Sequence, residues 1–139
     1  MAISLASLKR GKEVKPPLVL LYGVHGVGKS TWASETRNPV FIQTEEGLNT
    51  LDVVKFPLAK SVDDVYENIG ALANETHEFG TVVLDSIDWF EQLVHREVRN
   101  VHGETIFADY GKGYKFSVPY FNKLIDGLTH LRDTKNMMV

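Results

Sequence analysis

The chain has 139 residues, 43% hydrophobic and 24% charged, with 15 basic and 18 acidic side chains and a formal net charge of −3. That length and balance suit one globular domain with a real core and exclude wholesale disorder. Having no cysteine excludes disulfides and thiolate metal sites, no apolar run approaches the roughly 18 residues needed to span a membrane, and there is no overall basic excess of the kind that advertises nucleic-acid binding.

The first eight residues, Met1 to Leu8, are mildly apolar, and the positive charges Lys9, Arg10 and Lys12 follow them. A secretory signal has the opposite order, so a cytoplasmic protein is expected. Residues 1–17 read as a basic arm, because Lys9, Arg10, Lys12 and Lys15 precede Pro16-Pro17, which favours extended chain. Such an arm can touch a phosphate backbone or can simply be a solvated leader. Residues 18–139 read as the core.

Leu18-Val19-Leu20-Leu21-Tyr22 is a short continuous apolar run, which predicts a strand buried on both faces of a parallel sheet. A helix is expected from about Gly28 to Thr36, stopped by Asn38-Pro39. Val40 to Ile42 reads as a second buried strand, and Val53 to Phe56 as a short edge strand closed by Pro57. Ser61 and Asp64 have the spacing of a capping box. Behind them Val62, Val65, Ile69, Leu72 and Ala73 repeat at helical spacing. Thr81 to Leu84 reads as a third buried strand ending in Asp85, and a helix is expected over 87–101. Residues 103–116, with Gly103, Gly111 and Gly113, read as a loop. Ser117 and Pro119 are expected to open a last helix with a stripe of Phe121, Leu124, Ile125, Leu128 and Leu131. Met137 to Val139 begins another strand-like run. Strands alternating with helices predict an α/β fold with a parallel sheet.

Between the first strand and the first helix stands Gly23-Val24-His25-Gly26-Val27-Gly28-Lys29-Ser30, followed by Thr31. Its fixed positions Gly23, Gly28, Lys29 and Ser30 meet the pattern of a phosphate-binding loop. Glycines let the backbone curl so that successive N–H groups point at phosphate oxygens. The helix start adds its unpaired N–H groups at the same point. In this pattern the lysine reaches the β- and γ-phosphates and the serine hydroxyl is a ligand for Mg2+. The loop therefore predicts binding of ATP or a close relative together with Mg2+. His25 reads as a solvent-facing residue of the loop, with phosphate contact as the alternative.

A Mg2+–phosphate site needs a further anion near the metal, commonly an Asp at the end of a neighbouring buried strand. Asp85 has that place, although an Asp there can also cap the following helix. Hydrolysis needs a group that orients or deprotonates the attacking water. Glu45 and Glu46 follow the buried strand 40–42, at the edge of a parallel sheet where ligands bind. Spacing alone does not choose between them.

Taken together these segments resemble the RecA-like branch of P-loop ATPases, and most of all its small phage-encoded members, some of which work with recombination or strand-annealing proteins. The resemblance implies a three-layer parallel-sheet core. It aligns Ile42-Gln43-Thr44-Glu45-Glu46-Gly47-Leu48-Asn49 with the family's Ile-Asp-x-Glu-x-x-Leu-Asp and so implies Glu45 as the residue that activates water. Gln43 and Asn49 depart from the family's acids. Val82-Val83-Leu84-Asp85-Ser86 matches the second motif, and the basic leader ending in Pro-Pro and the element Tyr110-Gly111-Lys112-Gly113-Tyr114 match the phage group. The resemblance also implies a homo-oligomer acting on single-stranded DNA or with a recombination protein, in the host cytoplasm if phage-encoded.

In that family the strand after Asn136 lies between the loop strand and the Asp85 strand. These 139 residues are therefore expected to be a core truncated before its next strand, a fragment or the ordered part of a longer protein. If they fold alone, either residues 18–22 pair directly with residues 81–84 or another copy donates a strand. The first functional reading is an ATPase whose cycle supports a DNA transaction. A small-molecule kinase shares the loop, but the arginines after it (Arg37, Arg96, Arg99 and Arg132) form no cluster in a candidate lid. A guanine-reading Asn-Lys-x-Asp is missing, since Asn122-Lys123-Leu124-Ile125 lacks the Asp. A module that holds nucleotide without turnover is the third reading. Tyr110 and Tyr114 flank Lys112 and are candidates for stacking on single-stranded bases or for subunit contact.

Overall fold

The computed structural model describes residues 2–139. Three parallel strands form the assigned sheet: β1 (Pro39–Gln43), β2 (Val54–Lys55) and β3 (Thr81–Asp85), in the order β2-β1-β3. Among the described residues four α-helices accompany them, α1 (Lys29–Ser34), α2 (Val62–Asn74), α3 (Ile87–His102) and α4 (Lys112–Lys135), and Leu5–Ser7 forms a 3-10 turn. Alternation along β1 decides the layers. Val40 and Ile42 join Val82 in a core with α2, α3 and α4, whereas Phe41 turns the other way onto Ala33 of α1 and Leu48. The fold is thus α/β with α1 on one face of a parallel sheet and the other helices on the opposite face.

The ladder continues past β3. Met138 forms a parallel bridge with Thr81: its N–H donates to Gly80 at 2.9 Å and its carbonyl accepts from Val82 at 2.9 Å. Val139 then bonds on its far side, donating to Pro17 at 3.1 Å and accepting from Val19 at 2.8 Å. Residues 138–139 therefore occupy the central place expected for the segment after Asn136, and the ladder between residues 17–19 and β3 runs through them.

The expectation for residues 18–22 needs correcting. They are not an assigned strand, and they lie open to solvent, with Leu20 72% and Tyr22 87% exposed. The physical reason is the shortness of the ladder: one backbone bond, from Val19 N–H to Val139 O, is seen on this segment.

The other boundaries follow local chemistry. At α2 the capping box is formed: Ser61 Oγ accepts from Asp64 N–H at 3.1 Å, and Asp64 Oδ2 accepts from the N–H groups of Ser61 (3.1 Å) and Lys60 (2.7 Å). The bond from Lys60 is the main reason the Asp64 carboxyl sits below its ordinary range. The expected helix over 28–36 is α1, followed by tightened turns in which Glu35 and Thr36 bond back three residues.

The largest difference is at α4, which begins at Lys112, inside the stretch expected to be loop. Ser117 does not cap it; its hydroxyl donates to Gly113 O at 2.8 Å, one turn back. Pro119 lies inside the helix. The turn into α4 is made by Tyr110 and Gly111, both at positive φ (49° and 72°). Gly113 lies so close to Phe107 that an added Cβ would come within 2.6 Å of the ring. Two features of the Tyr-Gly-Lys-Gly-Tyr element, a left-handed turn and a close helix approach, thus have direct structural reasons. Among the described residues no helix is long and apolar enough to cross a membrane.

Candidate functional site

The loop from Gly23 to Gly28 connects residues 17–19 to α1, on the same side of the sheet as the carboxyl ends of β1 and β3. Gly26 and Gly28 have φ of 79° and 103°, values that require glycine in practice. Neither would meet another atom if given a Cβ, so conformation and not space selects glycine there. Gly28 is the N-cap of α1, and the first intrahelical bond runs from Trp32 N–H to Gly28 O at 2.9 Å. The N–H groups of Lys29, Ser30 and Thr31 consequently have no helical acceptor.

Lys29 folds its side chain over the loop. Its ammonium donates to Gly23 O at 2.7 Å and Val24 O at 3.0 Å. These carbonyls are neutral acceptors, and a phosphate oxygen offers a charge-assisted bond instead. Val24, His25 and Val27 are exposed.

Ser30 and Asp85 are far apart in sequence and meet in space. The Ser30 hydroxyl donates to Asp85 Oδ2 at 2.6 Å. Ser86, not Asp85, is the N-cap of α3, so the carboxylate at the end of β3 is turned to the loop and not spent on the helix. A hydroxyl and a carboxylate in contact are oxygen donors suited to Mg2+, which takes few protein ligands and completes its octahedron with phosphate and water. Among the described residues there is no cluster of three or more His, Cys, Asp or Glu side chains able to hold a metal alone.

Glu45 and Glu46 lie just beyond the end of β1. Glu45 is half-buried and Glu46 is exposed. No hydrogen bond or ion pair engages either side chain among the described residues. The residue before them is anchored firmly. Thr44 is 6% exposed. Its N–H donates to Asp85 O at 2.9 Å. Its hydroxyl donates to Ser86 O at 2.6 Å and accepts from Ser86 N–H at 2.9 Å.

Sequence reasoning missed Thr44 and Ser86. The signal is one of register: β1 and β3 run parallel with Gln43 opposite Asp85, which sets Thr44 opposite Ser86. Two hydroxyl residues each following a buried strand are unremarkable until that pairing is known. Gln43 also has a role in the sheet, donating from Nε2 to Phe56 O at 2.9 Å.

The structure brings together the loop, Lys29, Ser30 and Asp85 in direct contacts, and sets Glu45 one residue from the Thr44 anchor. It places the Tyr110–Tyr114 element elsewhere. That element packs beside the second half of α3, away from the Asp85 end, where His95 and Arg99 lie against Phe107. Tyr110 is fully exposed, Tyr114 packs edge-on against Phe107 and His95, and Lys112 pairs with Asp109 at 2.8 Å.

Comparison with curated proteins and with solved structures returned no match. Comparison with protein families returned one described as AAA domain, matched over residues 15–139, from the end of the basic arm through the central segment. The chain therefore belongs to the AAA domain family, whose members are P-loop nucleotide-binding ATPases.

Proposed function

We propose that this chain binds ATP with Mg2+ and hydrolyses it, with Glu45 activating the water, as a RecA-like ATPase of the small phage-encoded kind that serves a DNA transaction. The observation that carries the reading is the 2.6 Å contact between the Ser30 hydroxyl and the Asp85 carboxylate. It joins the phosphate loop to the end of β3 and sets two oxygen donors side by side, which supports a site for a phosphate-bound cation. The two residues fit that ion, which when bound neutralises charge developing on the transferred phosphoryl group.

The chain's own residues supply the rest. Gly23 to Gly28, with the free N–H groups of Lys29, Ser30 and Thr31, hold phosphate oxygens. Lys29 exchanges its two carbonyl partners for the β- and γ-phosphates. Glu45, half-buried at the end of β1, takes the proton of the attacking water, and the γ-phosphoryl group passes to that water with ADP as leaving group. Support for the DNA role comes from the basic arm, from the exposed Tyr110 and from the resemblance of the Glu45 and Tyr110–Tyr114 segments to the phage group.

Phosphate release with and without single-stranded DNA, measured on the parent and on Glu45→Gln and Glu46→Gln, tests the reading. Glu45→Gln is expected to retain MgATP and lose turnover by at least about 100-fold, in line with the usual contribution of a positioned base. Glu46→Gln is expected to stay within a few-fold of the parent. The reverse pattern assigns the base to Glu46, and a parent without turnover refutes hydrolysis.

A further inference from the structure

The side chain of Thr44, just past β1, bonds the residue just past β3. A residue at the carboxyl end of a parallel strand ordinarily contributes backbone bonds to the ladder. Thr44 adds both functions of its hydroxyl, donating to Ser86 O at 2.6 Å and accepting from Ser86 N–H at 2.9 Å, while its own N–H reaches Asp85 O at 2.9 Å. Three bonds from one buried residue therefore hold this turn of chain, two on the Asp85–Ser86 peptide and one on the Ser86 carbonyl. The same peptide carries the carboxylate that holds the Ser30 hydroxyl.

The result is a continuous path: Ser30 Oγ to Asp85, the Asp85–Ser86 backbone to Thr44, and one peptide bond on to Glu45. Beyond Thr44 the chain leaves the sheet in a bend. No side-chain bond holds Glu45 among the described residues, so its position is set by its backbone. That backbone is fixed at Thr44.

We infer that Thr44 is a positioning residue for the proposed hydrolysis: its hydroxyl, clamped on the Ser86 peptide, fixes Glu45 relative to the Ser30–Asp85 pair. This rests on the reading of Glu45 as the base. The clamp matters for turnover and not for affinity, because the loop, Lys29 and Ser30 bind phosphate without it. An error of about 1 Å in the placement of a reacting group can cost on the order of 100-fold in rate.

The test compares steady-state turnover and MgATP affinity of the parent with Thr44→Val, Thr44→Ser and the pair Thr44→Val/Glu45→Gln. Thr44→Val keeps the shape and removes the hydroxyl. It is expected to lower kcat by about 10- to 100-fold and to leave MgATP affinity within about twofold. Thr44→Ser keeps the hydroxyl and is expected to restore most of the turnover. On top of Glu45→Gln the Val change is expected to cost nothing more, as two residues acting as a unit are not additive. Should the Val variant not fold, Thr44→Cys, with similar size and only a weak donor, takes its place with the same expectations.

Equal losses in the presence and absence of Glu45, or a loss of MgATP affinity matching the loss of turnover, would overturn the inference. So would a Val or Cys variant that turns over like the parent. A parent that binds MgATP and never releases phosphate overturns the hydrolase reading and the inference with it. Turnover by the parent, silenced by Glu45→Gln and indifferent to Thr44, overturns the inference alone.

Discussion

Lys29, proposed above to reach phosphate, makes its own contacts within the loop. Its ammonium is held by the carbonyls of Gly23 and Val24 at 2.7 and 3.0 Å. Both bonds are to exposed groups, and water replaces them at little cost if the side chain is removed. Lys29→Ala is therefore expected to leave thermal stability without ligand nearly unchanged. With ligand the two proteins should part. A ligand at about 100 times its dissociation constant stabilises the folded state by roughly 2.7 kcal/mol, so MgATP should raise the melting temperature of the parent by several degrees. The variant should show almost no shift in a parallel thermal scan. An equal shift in both would remove this loop from the nucleotide site.

At the scale of elements, the start of α2 shows local sequence chemistry carried into structure without change. Ser61→Ala removes an N-cap acceptor and should cost about 1 kcal/mol, read by chemical denaturation. Asp64 adds a dependence on pH. Its folded-state pKa lies below the ordinary carboxylate value because it accepts N–H bonds, first of all from Lys60. A depressed pKa contributes stability that is present above the unfolded value of 3.8 and lost as pH falls through the folded one. The gap in melting temperature between the parent and Asp64→Ala should thus be fully open at about pH 6 and narrow as pH falls below 3.8. A gap that is constant across this range would mean that the carboxylate charge contributes nothing to the cap. The opposite end of the chain shows where local chemistry misleads. Ser117 and Pro119 have the composition of a helix start, yet α4 starts at Lys112. The packing of Gly113 against Phe107 and the left-handed turn at Tyr110-Gly111 outweigh the proline inside the helix.

For the molecule as a whole, charge is divided unevenly. The arm of residues 1–17 carries four of the 15 basic side chains and only one of the 18 acidic ones. The rest is acidic and repels a phosphate backbone, so any DNA contact is expected to depend on the arm. Three to four phosphate contacts on a single strand give a slope of log affinity against log salt of roughly −2 to −3. Replacing Lys9, Arg10, Lys12 and Lys15 by Ala should flatten that slope and weaken single-stranded DNA binding while MgATP affinity stays the same. Fluorescence anisotropy across a salt series reads both quantities. Binding that is indifferent to salt, or that survives loss of the arm with its slope intact, places the contact elsewhere.

The phosphate loop, the three parallel strands of the sheet and the capping box were legible in sequence because each depends on residues a few positions apart. A glycine needed at positive φ, a buried strand with apolar residues on both faces, and a serine three residues before an aspartate all leave their mark in the neighbouring residues. The pairing of Ser30 with Asp85 was legible as two halves of a pattern; their 2.6 Å contact was not, since it joins residues 55 apart. Register belongs to the tertiary structure in the same way. It set Gln43 opposite Asp85, and so made Thr44 the clamp on Ser86, a role no local pattern contains. Exposure was decided there too. Leu18 to Tyr22 reads as buried strand from its side chains, but a strand is buried by what lies beside it, and the one ladder bond seen on this run joins Val19 to Val139. Apolar composition states what a segment can bury, whereas only the neighbours that fold against it determine what it does bury.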